Sequence, residues 1–144
     1  MNIKISNSSD VNYMVRAEKI IELYNQASRC PFDEILNLTK PDSTCIIYVD
    51  YDSAGVLLDY HSEKGVWRIM FAAFDSNNRN KGLLRGCMDF AKDEGMDIAL
   101  VEINSSDESS VWKKLGYEYF GAMGMCMILS NRKLDFINYN AYMA

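Results

Sequence analysis

The sequence predicts a single α/β domain, and three observations support this prediction. The chain has 144 residues, of which 49% are hydrophobic and 24% charged, so it can bury the core of one globular domain. Some segments carry apolar residues at helical spacing, and others are short runs of β-branched and aromatic residues. No repeat, low-complexity tract or Pro/Gly/Ser-rich linker separates these segments.

The N-terminal segment predicts a strand followed by two helices. Ile3 and Ile5 alternate with polar neighbours, which is typical of a short strand. Residues 8–10 offer N-cap side chains to a helix ending near residue 28, whose apolar residues recur at helical spacing: Val11, Met14, Val15, Ala17, Ile20, Ile21 and Tyr24. A second short helix is expected over 31–38, because proline is well tolerated in a first helical turn.

Three strand-like runs follow, over 44–50, 56–61 and 66–74. They are rich in Ile, Val, Tyr, Trp and Phe, and good turn sequences separate them at 52–55 and 62–65. This pattern predicts an antiparallel meander.

The second half of the chain alternates helix and strand again. A polar loop over 75–82 runs into a helix that ends before Gly95. Ile98 begins a mostly apolar strand, which indicates burial on both faces. Asp107 can cap a short helix that follows, and Gly116 is placed to end it.

The C-terminal segment leaves two arrangements open. Residues 117–129 predict strand structure that Gly121 and Gly124 interrupt. Either residues 134–142 of the tail 131–144 return as an added strand after a turn at 130–133, or a hairpin lies wholly within 117–129. Edge pairing through the apolar and aromatic tail would also give a homodimer.

Composition disfavours several classes of function. Fifteen Lys and Arg against 20 Asp and Glu give a net charge of −5, which opposes nucleic-acid binding. The four cysteines stand singly and there is one histidine, so we expect no metal site and no redox motif. The first residues lack a signal-peptide pattern, and no apolar run approaches the roughly 20 residues of a membrane helix. We therefore expect a cytoplasmic protein.

The polar loop before the third predicted helix has the features of an anion site. A helix N-terminus presents N–H groups that have no intrahelical partner, together with the positive end of the helix dipole. Gly82 permits close approach of an anion, and Arg79 and Lys81 add cationic donors that suit a diphosphate. The alternative is a turn and helix cap with no ligand. The P-loop and GxGxxG patterns are both missing.

Two short motifs occur in a fixed order, Arg79-Asn80-Lys81-Gly82 before one helix and Lys114-Leu115-Gly116-Tyr117 at the end of the next. This order of strand, Arg-x-x-Gly loop, helix, strand and Lys-x-Gly-aromatic helix end resembles the core of the GCN5-related N-acetyltransferase (GNAT) superfamily. The resemblance covers nearly the full length. It implies one domain over 1–144, with a mixed, mostly antiparallel sheet of six to seven strands flanked by helices.

The resemblance also implies a cofactor, acetyl-CoA or another acyl-CoA. Beside Arg79, its pyrophosphate would be held by the backbone amides of Asn80, Lys81, Gly82, Leu83 and Leu84. The preceding strand would splay from the next to admit the pantetheine arm, and the thioester would be lined by Phe71, Ala72, Ala73 and Phe74. The other side of the cofactor would contact Asn104, Ser110 and Lys113. The implied activity is direct transfer of an acetyl group to an amine of a small molecule or protein.

Acyl transfer to an amine needs a base, because a lysine-like amine has a pKa of about 10.4. Glu102 is the first candidate, since the fifth strand borders the expected cleft. Its alternative is a solvated carboxylate at a strand edge. Asp59 and His61 are further candidates for the base.

The chain departs from the GNAT pattern at two positions. Family members commonly carry a Tyr as general acid four residues before the motif glycine, where this chain has Trp112. Tyr117 lies nearby and is the candidate acid, with core packing as its alternative. Leu84 replaces a second small residue of the loop. These departures keep a second hypothesis open, a catalytically silent GNAT-fold protein that acts in binding or assembly.

The acceptor site is expected between the first two helices and the C-terminal strands, as is usual in the family. The residues that fall there are Arg29, Phe32, Asp33 and Glu34. The two carboxylates would attract an ammonium group, and their alternative is a favourable charge in a first helical turn.

Overall fold

One mixed sheet organises the residues that the computed structural model describes, which are 2–27, 44–49, 54–75, 82–103, 108–121 and 126–136. Its strands are β1 (Ile3–Asn7), β2 (Thr44–Val49), β3 (Ala54–His61), β4 (Val66–Phe74), β5 (Ile98–Glu102), β6 (Tyr117–Phe120) and β7 (Cys126–Leu129). Their spatial order is β1-β2-β3-β4-β5-β7-β6. Only β4 and β5 pair in parallel among these strands, which confirms the predicted mixed, mostly antiparallel sheet.

Helices pack on both faces of this sheet. They are α1 (Tyr13–Ala27), α2 (Leu83–Asp93) and α3 (Ser109–Lys114). On one face, buried residues of α1 pack against the sheet with Leu57, Phe71 and Ala73. On the other face, α2 and α3 pack with Val56, Leu58, Ile69 and Val101. No helix in the described part of the chain is long and apolar enough to cross a membrane. The predicted helix over 31–38 lies outside the described residues.

The first helix starts later than the sequence predicts. It begins at Tyr13 rather than directly after Asp10, and Val11 before it is 93% exposed. A turn precedes it, in which the N–H of Asn7 donates to Oδ2 of Asp10 at 3.1 Å. The buried face of α1 therefore begins with Tyr13, whose hydroxyl donates to Oγ1 of Thr44 on β2 at 2.6 Å.

The meander predicted over the central part of the chain is present. β2, β3 and β4 pair antiparallel in chain order. The turn predicted at 62–65 joins β3 to β4. β3 starts at Ala54, two residues earlier than predicted, and Ala54 has a positive φ of 65°.

The C-terminal residues form a hairpin and a 3-10 helix. β6 and β7 pair antiparallel, so the hairpin lies within 117–129. Residues Ser130–Phe136 form the 3-10 helix, so residues 134–136 do not belong to an added strand, which was the other arrangement left open. Phe136 is buried and meets Phe120 edge-to-face, which fixes this helix on the end of the sheet. Residues 137–144 lie outside the described part of the chain.

Gly55 is required by the close approach of β3 to β2. A Cβ at this position would overlap the carbonyl oxygen of Ile47 and lie 2.8 Å from the Cα of Tyr48. Both are backbone atoms of β2, so the overlap can be relieved only if the paired strands β2 and β3 move apart. We expect Gly55→Ala to lower the free energy of unfolding by about 2 kcal/mol or more. Urea unfolding followed by circular dichroism measures this loss.

Gly95→Ala is the matched control. Gly95 has φ of +78° and nothing lies within 4 Å of its added Cβ. Only the left-handed backbone strain remains there, about 1 kcal/mol. Equal losses in the two variants would contradict the steric argument for Gly55.

Candidate functional site

β4 and β5 pair over a short stretch and then separate. Their parallel register runs from Trp67↔Ile98 to Ile69↔Val101 and stops there. In β3, Leu57 pairs with Phe71 and Leu58 with Ile69, so Met70 is an extra residue in a β-bulge. The second half of β4 thus stays on β3 and leaves β5. The splay that the family resemblance implies stays a prediction at this point of the sheet.

A pocket of about 110 Å³ lies at this opening. Five elements contribute to it, namely α1, β4, β5, α2 and the start of α3. The residues that line it are Tyr24, Ile69, Met70, Phe71, Ala72, Leu84, Glu102, Glu108, Val111 and Trp112. Four of them, Phe71, Ala72, Leu84 and Glu102, are site residues predicted from the sequence.

Two further residues predicted to line the thioester are turned away from the pocket. Ala73 packs in the cluster beneath α1, and Phe74 packs against α2 on the other face of the sheet. Both are 9% exposed, so their side chains serve the core. Their backbone remains part of the segment of β4 that has left β5.

The first turn of α2 lies beside the pocket, which Leu84 lines. Gly82 is its N-cap, with a left-handed φ of 75° and no side-chain cap, and the first turn contains no acidic residue. Leu83 is buried, whereas Leu84 is half-buried and reaches the pocket, so it does not fill the helix mouth. The first N–H groups of this helix therefore lie near the opening without an intrahelical partner. The predicted residues Arg79, Asn80 and Lys81 lie outside the described chain.

Glu102 brings a carboxylate to the side of the pocket. Its side chain is 39% exposed, and Oε2 lies 3.6 Å from Nη2 of Arg68 on β4. Arg68 also donates two hydrogen bonds to Asp59 on β3, from Nε to Oδ1 at 3.1 Å and from Nη2 to Oδ2 at 2.8 Å. Nε2 of His61 lies 3.3 Å from the same Asp59 carboxylate. The three candidate bases therefore belong to one charged cluster around Arg68.

The pKa of Asp59 reflects these partners. Burial alone would raise the pKa of this carboxyl, but the hydrogen bonds with His61 and Arg68 and their charges outweigh burial and lower it. Asp59 is thus ionised and forms a hydrogen-bonded ion pair with Arg68. Glu102, which lines the pocket itself, is the better placed of the two to meet an acceptor.

Tyr117, the candidate acid, is not among the residues that line this pocket. The Tyr117 hydroxyl donates to the carbonyl oxygen of Ile98 at 2.7 Å, and the residue is 3% exposed. Burial, with a smaller effect from the charge of Asp97, raises the pKa of this hydroxyl. Trp112 lines the pocket and meets Tyr117 edge-to-face at 5.7 Å. Tyr117 is therefore a core residue behind Trp112.

Of the remaining predicted residues, two lie on α3 and the others lie in segments that the structure does not describe. Ser110 and Lys113 are exposed on α3 but do not line the pocket, and the Lys113 ammonium lies 4.9 Å from the ring centre of Tyr119. Five predicted residues lie outside the described chain, namely Asn104, Arg29, Phe32, Asp33 and Glu34. Among the residues that are described, no cluster of His, Cys, Asp or Glu could hold a metal ion.

Sequence reasoning missed Arg68, Met70 and Glu108 at the site. Arg68 could have been found, because the turn at 62–65 fixes the hairpin register that places it opposite Asp59. The bulge at Met70 has no sequence signal that we recognise. Glu108 lines the pocket at the N-cap of α3, where the sequence pointed to Asp107 instead.

Comparison with known proteins finds likeness at the level of structure. No protein-family model matches the chain, and no curated protein matches its sequence. GCN5 from Tetrahymena is 14% identical with a TM-score of 0.63, covering 88% of this chain and 94% of its own. An acyl-CoA N-acyltransferase from Pseudomonas aeruginosa is 15% identical with a TM-score of 0.59, covering 89% and 97%.

A third similar structure is N-acetylglutamate synthase from Neisseria gonorrhoeae, complexed with coenzyme A and N-acetyl-glutamate. It is 15% identical with a TM-score of 0.56, and the match covers 95% of this chain and 32% of that larger protein. The chain has the fold of the GCN5-related N-acetyltransferase superfamily.

Proposed function

We propose that the protein is an acyl-CoA-dependent N-acyltransferase that moves an acetyl group from acetyl-CoA directly to an amine. The observation that carries this proposal is the opening between β4 and β5, which joins the N-terminus of α2 to a pocket with a carboxylate at its side. The fold shared with acyltransferases supports it.

The residues present fit an acyl-CoA. The N–H groups at the start of α2 suit a diphosphate, and an added Cβ at Gly82 would meet nothing within 4 Å, so the helix mouth has room. Leu84 lies in the first turn of α2 and also lines the pocket, so one path connects the two. We assign Arg79, Asn80 and Lys81 to the same diphosphate. Asn104, Ser110 and Lys113 are assigned to the far side of the cofactor.

A pantetheine arm suits the separated strands. The described ladder between β4 and β5 ends at Ile69, and we propose that the extended amide chain lies along residues 70–74. The bound coenzyme A in the similar N-acetylglutamate synthase structure supports acyl-CoA as the class of cofactor. The thioester would then lie beside Phe71 and Ala72.

Glu102 is assigned the role of base. Its carboxylate takes a proton from the acceptor ammonium, directly or through a water, and the neutral amine then attacks the thioester carbonyl. A C–N bond forms, the C–S bond breaks, and the proton that the nitrogen still has to lose passes through water to the departing thiolate. Cys126, which pairs with Glu102 across β5 and β7, does not serve as nucleophile, because burial raises the pKa of its thiol to about 11.

The acceptor is a small molecule or protein that carries a primary amine. Glu102 and Glu108 both line the pocket and give it a negative side that attracts an ammonium group. We keep Arg29, Phe32, Asp33 and Glu34 as further acceptor contacts. The net charge of −5 disfavours nucleic acid as acceptor, and we place the reaction in the cytoplasm.

A catalytically silent binding or assembly protein is the second candidate function. Trp112 supplies no exchangeable hydroxyl, and the Tyr117 hydroxyl is already bonded to Ile98, so neither residue donates a proton at the pocket. A chain that binds acetyl-CoA without transferring its acetyl group would fit this candidate.

Acetyl-CoA binding is the first property to measure, by titration calorimetry. We expect Gly82→Glu to weaken binding at least tenfold relative to the native chain, because a carboxylate at the helix mouth repels the diphosphate. Gly82→Ala separates this charge effect from backbone strain, since it carries the same left-handed φ of 75° without a charge. Gly95→Glu places the same charge at the other end of α2 and should bind as the native chain does. Equal affinity in all four proteins would refute the diphosphate site.

Transfer is tested by release of the CoA thiol with a panel of small primary amines and of peptides with free lysine or N-terminal amines. We expect Glu102→Gln to lower kcat at pH 7 by about 100-fold with an accepted amine, because the base is lost. The control is Glu118→Gln on β6, whose partner is Lys133 at 2.9 Å, outside the pocket. This control should retain native kcat.

Two results would change the proposal. Binding of acetyl-CoA without transfer to any amine would favour the silent protein. Transfer that Glu102→Gln leaves intact would remove Glu102 from the reaction and keep the acyltransferase.

A further inference from the structure

A second cavity, of about 460 Å³, lies on the α2 face of the sheet. Ile98 begins β5 and lines this cavity, whereas Glu102 ends β5 and lines the pocket described above, and the strand between them spans about 13 Å. The two cavities share no lining residue. The second cavity, termed the α2 groove, is bounded by Arg85, Met88, Lys92, Met96, Leu115 and Arg132.

The floor of the α2 groove is apolar and carries two thioethers. Its members pack on the core beneath α2 yet stay partly exposed, and they are Met88, Met96, Leu115 and Leu129. A turn at Gly95, which has a φ of 78°, ends α2, and there the N–H of Met96 donates to the carbonyl oxygen of Ala91 at 2.9 Å. Methionine adapts to the shape of a ligand, and its sulfur makes favourable contacts with aromatic rings. This floor therefore suits an aromatic group.

The rim of the α2 groove has an excess of positive charge. Arg85 and Lys92 are exposed two turns apart on α2, and neither forms an ion pair with any residue that the structure describes. Arg132 donates from Nη1 to both carboxylate oxygens of Asp97 at 2.6 Å, so these two charges offset each other. Asp89 is then one acid against two cations. The groove is thus locally cationic in a chain whose net charge is −5.

We propose that the α2 groove is a second ligand site, which binds a small aromatic carboxylate. The ring lies on the floor of Met88 and Met96, and the carboxylate lies at the rim beside Arg85 and Lys92. A volume of about 460 Å³ is in the range of small-molecule sites. An amine of the same shape would meet two cations and one acid, so its binding is disfavoured. The site does not depend on acetyl transfer.

Binding is tested by NMR of the full chain with ¹³C-labelled methionine methyl groups and 3-phenylpropanoate as the probe. Met88→Leu and Met96→Leu identify the two signals that should move. We expect saturable shifts of both signals with a dissociation constant of about 1 mM or lower. Met14, which is 38% exposed on α1, is an internal control whose signal should stay in place.

The charge requirement is tested with two probes that carry the same ring, 3-phenylpropan-1-ol and 3-phenylpropylamine. We expect the alcohol to bind about tenfold more weakly than the carboxylate and the amine to give no saturable shift. The double variant Arg85→Gln/Lys92→Gln should lower the affinity for the carboxylate to that for the alcohol. Its two positions are exposed, so thermal melting should match that of the native chain.

The matched control is the double variant Lys4→Gln/Lys19→Gln. It removes the same charge from β1 and α1, neither of which lines the α2 groove, and it should bind the carboxylate as the native chain does. Equal affinities in the two double variants would remove Arg85 and Lys92 from the site and overturn the proposal. Equal binding of the three head groups would do the same.

Three further outcomes would overturn the proposal. The first is the absence of shifts at Met88 and Met96 up to about 10 mM probe. The second is displacement of the probe by acetyl-CoA, which would make the groove part of the cofactor site. The third is a dimer, detected by sedimentation velocity, that the probe dissociates, because a second copy of the chain would then occupy the groove.

Discussion

The end of the β4–β5 ladder at Ile69 is the constraint on which the rest of the site depends. Beyond this residue β4 remains hydrogen-bonded to β3, while β5 continues beside β7. A sheet that separates in its middle must place something between the two strands or leave backbone groups without a strand partner. The N-terminus of α2 and the first turn of α3 both reach this opening, so backbone donors and side chains from two helices meet there.

The bulge at Met70 decides which side chains share a face. In a regular strand Arg68 and Phe71 would point to opposite faces, because successive side chains alternate. The extra residue resets this alternation, and Phe71 packs with α1 on the face that also carries Asp59 and Arg68. One inserted residue therefore puts the ring of Phe71 on the same face of the sheet as the Asp59 and Arg68 side chains. It also explains why Ala72, which follows, turns toward the α2 side.

The sequence predicted those parts of the molecule in which local chemistry determines structure. The turn at 62–65 and the apolar runs on either side were sufficient for the β3–β4 hairpin, and Gly82 was correctly placed at the start of a helix. The hydrogen bond of the Tyr117 hydroxyl could not be predicted, because its partner is a carbonyl 19 residues away, a contact that only the folded sheet creates. The sequence left the tail open between an added strand and a hairpin within 117–129, and the structure has the hairpin, followed by a 3-10 helix whose Phe136 packs against Phe120.

A pocket lined by two carboxylates, with Trp112 at the position of the family's acid, fits the relative difficulty of the two proton transfers in the proposed reaction. A lysine-like amine with a pKa of about 10.4 is neutral in only about one molecule in 2,500 at pH 7, so help in losing its proton has a large effect. A thiol with a pKa of about 8.5 is a tolerable leaving group, and water can protonate it. A buried Trp112 in place of an acid therefore removes the smaller contribution, while Glu102 at the opening keeps the larger one.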